Sequence, residues 1–296
     1  MSRPARNDSV AFATLEAEDL TKRYGRRVWA LRGINLRIEP GGLVALVGPN
    51  AAGKSTLIRS WVGFERPTSG RARVAGFDAW TQRGDALRHV GYVPQNPTLY
   101  EALSVEAHVA MAAKLRPGLD RLLALRRLGE LNIPLAALGR HLSGGQQAQV
   151  VLTLAVATRA PVLLMDEPLA SLDPLARREF MHLVRQAVNE TGATGLLSSH
   201  VIGDVAEICD RLIVLGVGRV LLDSTVADAL GRHSISTSPV PGSVADFPAA
   251  DRTTLSLLRD RAGVGANIRP ATLEEIVLGH LAAGRRDPDA RAINRD

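Results

Sequence analysis

Only one cysteine, Cys209, occurs in the 296 residues, so no disulfide can close within the chain and a cysteine cage for a metal is excluded. Aromatic residues make up only 4% of the total, too few for a binding surface built mainly from stacked rings. Lysine is nearly absent: Lys22, Lys54 and Lys114 stand alone, and the other basic residues are arginines spread along the chain. The net charge of +6 therefore lacks the clustered stripe that nucleic-acid binding requires. No nucleic-acid partner is expected, and only a weak attraction to an anionic membrane surface remains. Long hydrophobic runs are missing too. The longest predominantly apolar stretch, Val150 to Ala157, falls far short of the roughly 20 residues of a membrane helix. Met1 to Val10 is polar and has no signal-peptide core. A cytoplasmic protein is expected, and any work at a membrane needs another subunit as anchor.

What is present is an ordinary globular composition, 46% hydrophobic, enough to bury a core. Leu43-Val44-Ala45-Leu46-Val47 and Val162-Leu163-Leu164-Met165 are apolar on both faces, as parallel strands covered on both sides must be. Asp173-Pro174 reads as an N-cap with proline in the first helical position. Phe180, Leu183, Val184, Ala187 and Val188 then recur at helical spacing, and Gly192 follows. Leu212 to Leu222, broken by Gly216 and Gly218, reads as a hairpin. The fold class is α/β with a mostly parallel sheet. Residues 1–14 read as a polar tail. His233 to Ala250, rich in Ser, Pro and Ala, reads as a linker or loosely held loop. Thr272-Leu273-Glu274-Glu275 opens a helix with a capping box, with Leu273, Ile276, Val277 and Leu281 on one face. The last dozen residues read as a frayed end.

Gly48-Pro49-Asn50-Ala51-Ala52-Gly53-Lys54-Ser55-Thr56 follows the first buried strand and opens a helix, which is the Walker A pattern in its required context. Successive backbone N–H groups and a helix N-terminus cradle phosphate oxygens. Lys54 reaches the β- and γ-phosphates, and the Ser55 hydroxyl is a magnesium ligand. A plain glycine-rich turn is the alternative, and it explains neither the lysine nor the hydroxyl that follows it. Asp166 and Glu167 end the second apolar strand, where an α/β sheet presents its ligands. Asp166 would hold Mg2+, and Glu167 would orient and deprotonate an attacking water. An acidic pair merely ending a strand is common, but less so beside a phosphate loop.

Phosphate loops occur in many kinases, GTPases and ATPases. Leu142-Ser143-Gly144-Gly145-Gln146, some twenty residues before Asp166, narrows the choice. With the phosphate loop, it makes residues 15–230 resemble the ATP-binding subunit of an ABC transporter. The resemblance implies a P-loop ATPase fold: a mostly parallel sheet, an antiparallel β part, a helical subdomain at about 96–160 and a short extension over 231–296. It implies ATP and Mg2+ as cofactors, and a dimer, with itself or a related subunit, bound to a polytopic permease. Tyr24 would stack on adenine. Gln95 would contact magnesium or water and sense the permease. Ser143, Gly144, Gly145 and Gln146 would cap ATP held by the opposite subunit. Asp173, in Ser171-Leu172-Asp173, would lie across the dimer interface, and His200 would touch the γ-phosphate.

Two departures stand out. Ala51 occupies a position where the family usually has Gly, and we expect it at negative φ without strain. Gln147-Ala148-Gln149 replaces a stretch that usually contains Arg. Thr272 to Leu278 resembles the short tail of multidrug or antibiotic exporter ATPases, so export is the expected direction. A soluble ABC ATPase acting on DNA or ribosomes usually has two cassettes, coiled coils or zinc modules, none of which appears. A small-molecule kinase would lack the Ser143-Gly144-Gly145 signature.

Overall fold

A computed structural model describes residues 14–170, 172–203, 208–249, 253–260 and 267–286. The chain opens with β1 (Leu15–Tyr24) and β2 (Val28–Ile38), then β3 (Leu43–Val47), α1 (Lys54–Trp61), β4 (Ser69–Val74), β5 (Phe77–Asp78), α2 (Arg83–Arg88) and β6 (Val90–Val93). Three helices, α3 (Val105–Leu115), α4 (Arg121–Glu130) and α5 (Gly144–Ala157), lead to β7 (Val162–Met165). After α6 (Pro174–Thr191) come β8 (Thr194–Ser199), β9 (Arg211–Gly216), β10 (Arg219–Thr225) and α7 (Val226–Arg232). The chain closes with β11 (His233–Ser236), β12 (Ala245–Pro248), β13 (Thr254–Arg259), β14 (Ile268–Pro270) and α8 (Leu273–Arg286).

The central sheet has the order β10-β9-β3-β8-β7-β6, parallel except for the β9–β10 hairpin. Strand β3 shows why its sequence is apolar throughout. Leu43, Ala45 and Val47 join the core on one face, while Val44 and Leu46 join the core on the other. A two-residue period with both sides covered leaves no polar position. One face packs on α5 and α6. The other meets α1 and the antiparallel sheet β2-β1-β4-β5. A third core, including Val105, Val109, Leu128 and Val150, holds α3, α4 and α5 together.

The expected start of α6 is present: Asp173 accepts from the N–H groups of Leu175 and Ala176, Pro174 is the first helical residue, and Gly192 ends it at φ +67°. The β9–β10 hairpin turns at Val217 and Gly218, both at positive φ. Residues 233–249 differ from the expected linker. They contain β11 and β12, two strands of a four-stranded antiparallel sheet of order β12-β13-β11-β14. Its inner face, through Ile235, Phe247, Leu255 and Leu257, joins the same core as the central sheet, with Leu273, Ile276 and Val277 of α8. The Ser and Pro residues that suggested a loop occupy the other sheet face and the turns. Thr272 and Glu275 form the expected capping box, the Thr272 N–H donating to the Glu275 carboxylate and the Glu275 N–H to the Thr272 hydroxyl. Residues 1–13 and 287–296, where the polar tail and the frayed end were expected, lie outside the described residues. Among the described residues, no helix is long and apolar enough to cross a membrane.

Candidate functional site

The loop from Gly48 to Gly53 joins the C-terminal end of β3 to α1, so its N–H groups lie at the positive end of a helix. Two of its glycines are required by close approach. A methyl group on Gly48 would run into the Leu215 carbonyl of β9, and one on Gly53, at φ +107°, into the Ala30 carbonyl of β2. The β9–β10 turn braces the loop from outside, with the Gly218 N–H donating to the Ala52 carbonyl at 3.1 Å. Ala51 lies at φ +64°, so the expectation of negative φ is corrected. The left-handed conformation is imposed by the loop path between these two braces, and it costs an L-residue roughly 1–2 kcal/mol.

Lys54 is buried, 3% exposed. Its ammonium donates to the carbonyls of Gly48 at 2.7 Å and Pro49 at 3.1 Å, and pairs with Glu167 Oε1 at 3.0 Å. The other oxygen of Glu167 lies 3.0 Å from His200 Nδ1. Burial raises the pKa of Glu167, but the Lys54 and His200 partners outweigh it, and the carboxyl sits below its usual value. It is therefore ionised at neutral pH and ready to accept a proton. Glu167 also lies at φ +45°, a strained conformation for a residue with a long side chain. A bond from its N–H to Ser198 Oγ at 2.8 Å helps hold it there.

Asp166 is completely buried. Its Oδ1 accepts from Ser55 Oγ at 2.8 Å and from Ser198 Oγ at 3.1 Å. Its Oδ2 has no hydrogen-bond partner, and the Arg59 guanidinium is 4.0 Å away. A buried carboxylate oxygen without a partner, beside a serine hydroxyl, is a donor set that fits a hard divalent cation such as Mg2+. Ser198 is the residue that motif reading missed, although it stands in Ser198-Ser199-His200. It ties the strand that carries Asp166 and Glu167 to the strand that carries His200. A hydroxyl at the end of a buried strand next to an Asp-Glu strand was the available signal.

Asn50 lies in the loop and Thr56 in the first turn of α1. Tyr24 ends β1, with its phenol oxygen 3.5 Å from Thr56 Oγ1, and the residue is 39% exposed. Gln95 follows β6, whose last residue, Val93, accepts from the Asp166 N–H at 2.9 Å. It is half-buried. Ser143, Gly144, Gly145 and Gln146 stand apart from this group, at the N-terminus of α5 in the helical subdomain. Ser143 Oγ accepts from the Gln146 N–H, and Gln146 Oε1 accepts from the Ser143 N–H, a reciprocal cap. Gln147, one of the departures, links segments: it accepts from the Leu99 N–H and donates to the carbonyls of Gly139 and Leu142. Asp173 caps α6, as described. Ser171 lies outside the described residues.

A phosphate cradle with a buried lysine, a carboxylate–hydroxyl pair and an ionised acceptor carboxylate on a parallel sheet define a nucleoside-triphosphate hydrolase. Residues 31–170 match the family model described as ABC transporter. A phosphonates import ATP-binding protein of Thiobacillus denitrificans is 36% identical over 235 residues, which cover 73% of this chain and 89% of that protein. A probable sulfate/thiosulfate import ATP-binding protein of Chlorella vulgaris is 35% identical, covering 74% and 94%. A solved dimeric ATP-binding cassette in a post-hydrolysis state, bound to ADP and Pi, is 25% identical with a TM-score of 0.64, covering 72% and 98%. The chain belongs to the ATP-binding subunits of ABC transporters. It is an ATPase that energises transport.

Proposed function

We propose that Gly48 to Thr56 bind the triphosphate, that Tyr24 stacks on the base, and that Glu167 is the general base of hydrolysis. The observation that carries this reading is the buried Lys54–Glu167 pair against the phosphate loop, with the exposed His200 on the other oxygen of the carboxylate. Lys54 must exchange its hold on Glu167 for the terminal phosphates when ATP enters, which leaves Glu167 oriented by His200 and by the Ser198 bond. Glu167 then takes the proton of the attacking water, and Lys54 and His200 face the charge that develops on the γ-phosphate. Ser55 and Asp166, together with Gln95, would hold Mg2+. When bound, magnesium would supply charge that neutralises the phosphates.

The Ser143 to Gln146 segment supports a two-subunit site. At Gly144 an added methyl would meet nothing, and at Gly145 it would make only ordinary contacts. The chain's own packing therefore does not require either glycine, whereas close approach of an anion from a second subunit would. Two copies, or this chain and a related subunit, would enclose two nucleotides, with Asp173 near the join. The assembly would sit at the inner face of the membrane through a polytopic permease.

On direction, the tail pattern Thr272 to Leu278 pointed to export, whereas both relatives described above bear the names of import proteins. We therefore favour uptake over export. Flux of a candidate anion into or out of vesicles carrying the neighbouring permease decides it. The ATPase reading is tested by phosphate release from magnesium ATP. Glu167→Gln should abolish it while ATP still binds, and turnover retained by that variant would remove Glu167 from the role of base.

A further inference from the structure

Tyr24 is contacted by residues to which the hydrolytic reading gives no role. Lys22 and Tyr24 are two apart on β1 and so share a sheet face. The Lys22 ammonium lies 4.9 Å from the centre of the Tyr24 ring. It is fixed from two further directions, by an ion pair with Glu65 at 2.8 Å and by a hydrogen bond to the Arg66 carbonyl at 2.9 Å. Both partners come from the segment that follows α1. That segment is stitched to β1 by the Thr68 N–H bonding the Thr21 carbonyl at 2.7 Å and the Arg23 N–H bonding Thr68 Oγ1 at 3.0 Å. The lysine is mostly covered, its side chain 14% exposed, although lysine is the residue type that most readily stays in water. Burial lifts the Glu65 carboxyl, but Lys22 and Tyr24 bring it below its ordinary value, so Glu65 is ionised at neutral pH.

We propose that Lys22, held by Glu65 and the Arg66 carbonyl, is a positioning residue that backs one face of Tyr24 and presents the other face to the adenine base of ATP. This rests on the reading of Tyr24 as the base-stacking residue. The Tyr24 ring is tied only at its phenol tip, to Thr56 and Glu65, and without support on its face the ring plane would have to be ordered as a base stacks on it. A cation against one face holds the ring beforehand and leaves a single open face. The same cation draws electron density from the ring and so favours stacking of an electron-rich purine. Lys22 thereby acts on the base, not on the phosphates, which belong to Lys54.

The test uses the full chain and titration calorimetry with two probes, magnesium ATP and inorganic tripolyphosphate, which carries the phosphates without a base. Lys22→Gln should weaken ATP about two- to five-fold, the range of an exposed cation–π contact, and leave tripolyphosphate affinity unchanged. Lys22→Arg should restore ATP affinity, and Glu65→Gln should reproduce part of the loss. Unchanged ATP affinity in Lys22→Gln, or equal weakening of both probes, would overturn the proposal. Tyr24→Ala separates the two levels. If it leaves ATP affinity intact, the stacking reading itself fails. If it weakens ATP while Lys22→Gln does not, only the role of Lys22 falls.

Discussion

Replacing Ala51 by glycine isolates a single backbone dihedral in the phosphate loop. Ala51 lies at φ +64° and its side chain is exposed, so the methyl group contributes strain without packing. Relief of the left-handed conformation is worth about 1–2 kcal/mol. The extra freedom that glycine gives the unfolded chain takes back about 0.4–1 kcal/mol. The net is a stabilisation of about 1 kcal/mol, which for a domain of this size raises Tm by about 2–4 °C. Nucleotide affinity should stay within about two-fold, because the strain is carried equally by the free and the bound loop and so cancels in binding. Thermal unfolding followed by circular dichroism, with and without ATP, measures both quantities. A lower Tm for Ala51→Gly would mean that position 51 does not hold a left-handed conformation in solution. A tenfold gain in ATP affinity would mean that the free loop relaxes to another shape and is strained only when nucleotide binds.

Three further outcomes follow from the site and the C-terminal sheet. Lys54→Ala should lower ATP affinity more than tenfold while the far-ultraviolet spectrum stays native, since the lysine is a point charge in the cradle; affinity within a factor of two of the parent would remove it from the site. Glu167→Gln with ATP and magnesium should accumulate a dimer in light scattering, and adding Ser143→Arg should abolish that dimer without loss of ATP binding by the monomer. A double variant that still dimerises refutes a site shared between subunits. The buried His233–His280 pair, Nε2 to Nε2 at 3.2 Å, should make stability fall with pH. His233 Nδ1 lies 2.7 Å from the Ala229 carbonyl and donates to it, so one unprotonated Nε2 must face the other ring. Burial, then His233 and Arg259, push the His280 pKa down to about 4. The folded state thus binds fewer protons than the unfolded one between about pH 4 and 6.5. Up to about 3 kcal/mol, fully present above pH 6.5, is lost as the pH falls to about 4. Urea unfolding against pH shows this slope, and His280→Leu should flatten it; identical profiles for parent and variant would rule the pair out as its source.

The parts of the fold that were legible in sequence are those where one local rule dominates. Leu43 to Val47 and Val162 to Met165 lack polar residues because both faces are covered, and Asp173-Pro174 declares a helix start by chemistry alone. The antiparallel sheet was harder to read. In β1, β2 and β4, Glu16, Glu18, Arg37 and Arg73 form ion pairs across strands, so their charges hide the alternation that marks a strand. The C-terminal sheet was misread because its buried positions are short apolar groups between Ser and Pro. Only pairing with distant strands makes Ile235, Phe247 and Leu257 one surface. At the site, the phosphate loop and the acidic pair were legible as spacing. The Lys54–Glu167 contact, the role of Ser198 and the conformation of Ala51 depend on residues far apart in the chain.

The seat of the phosphate loop sets a timetable for synthesis. Strand β3 is flanked by β8 and β9, and Gly48 rests against the Leu215 carbonyl. Neither neighbour exists when residues 48 to 56 leave the ribosome. At about 5–20 residues per second, roughly ten to thirty seconds pass before β9 arrives to complete the floor of the loop. During that interval the nascent chain carries an apolar β3 with two open edges, the condition in which strands pair wrongly. Until then the neighbours available to cover β3 are those made before it or just after it, the β1–β2 pair and α1.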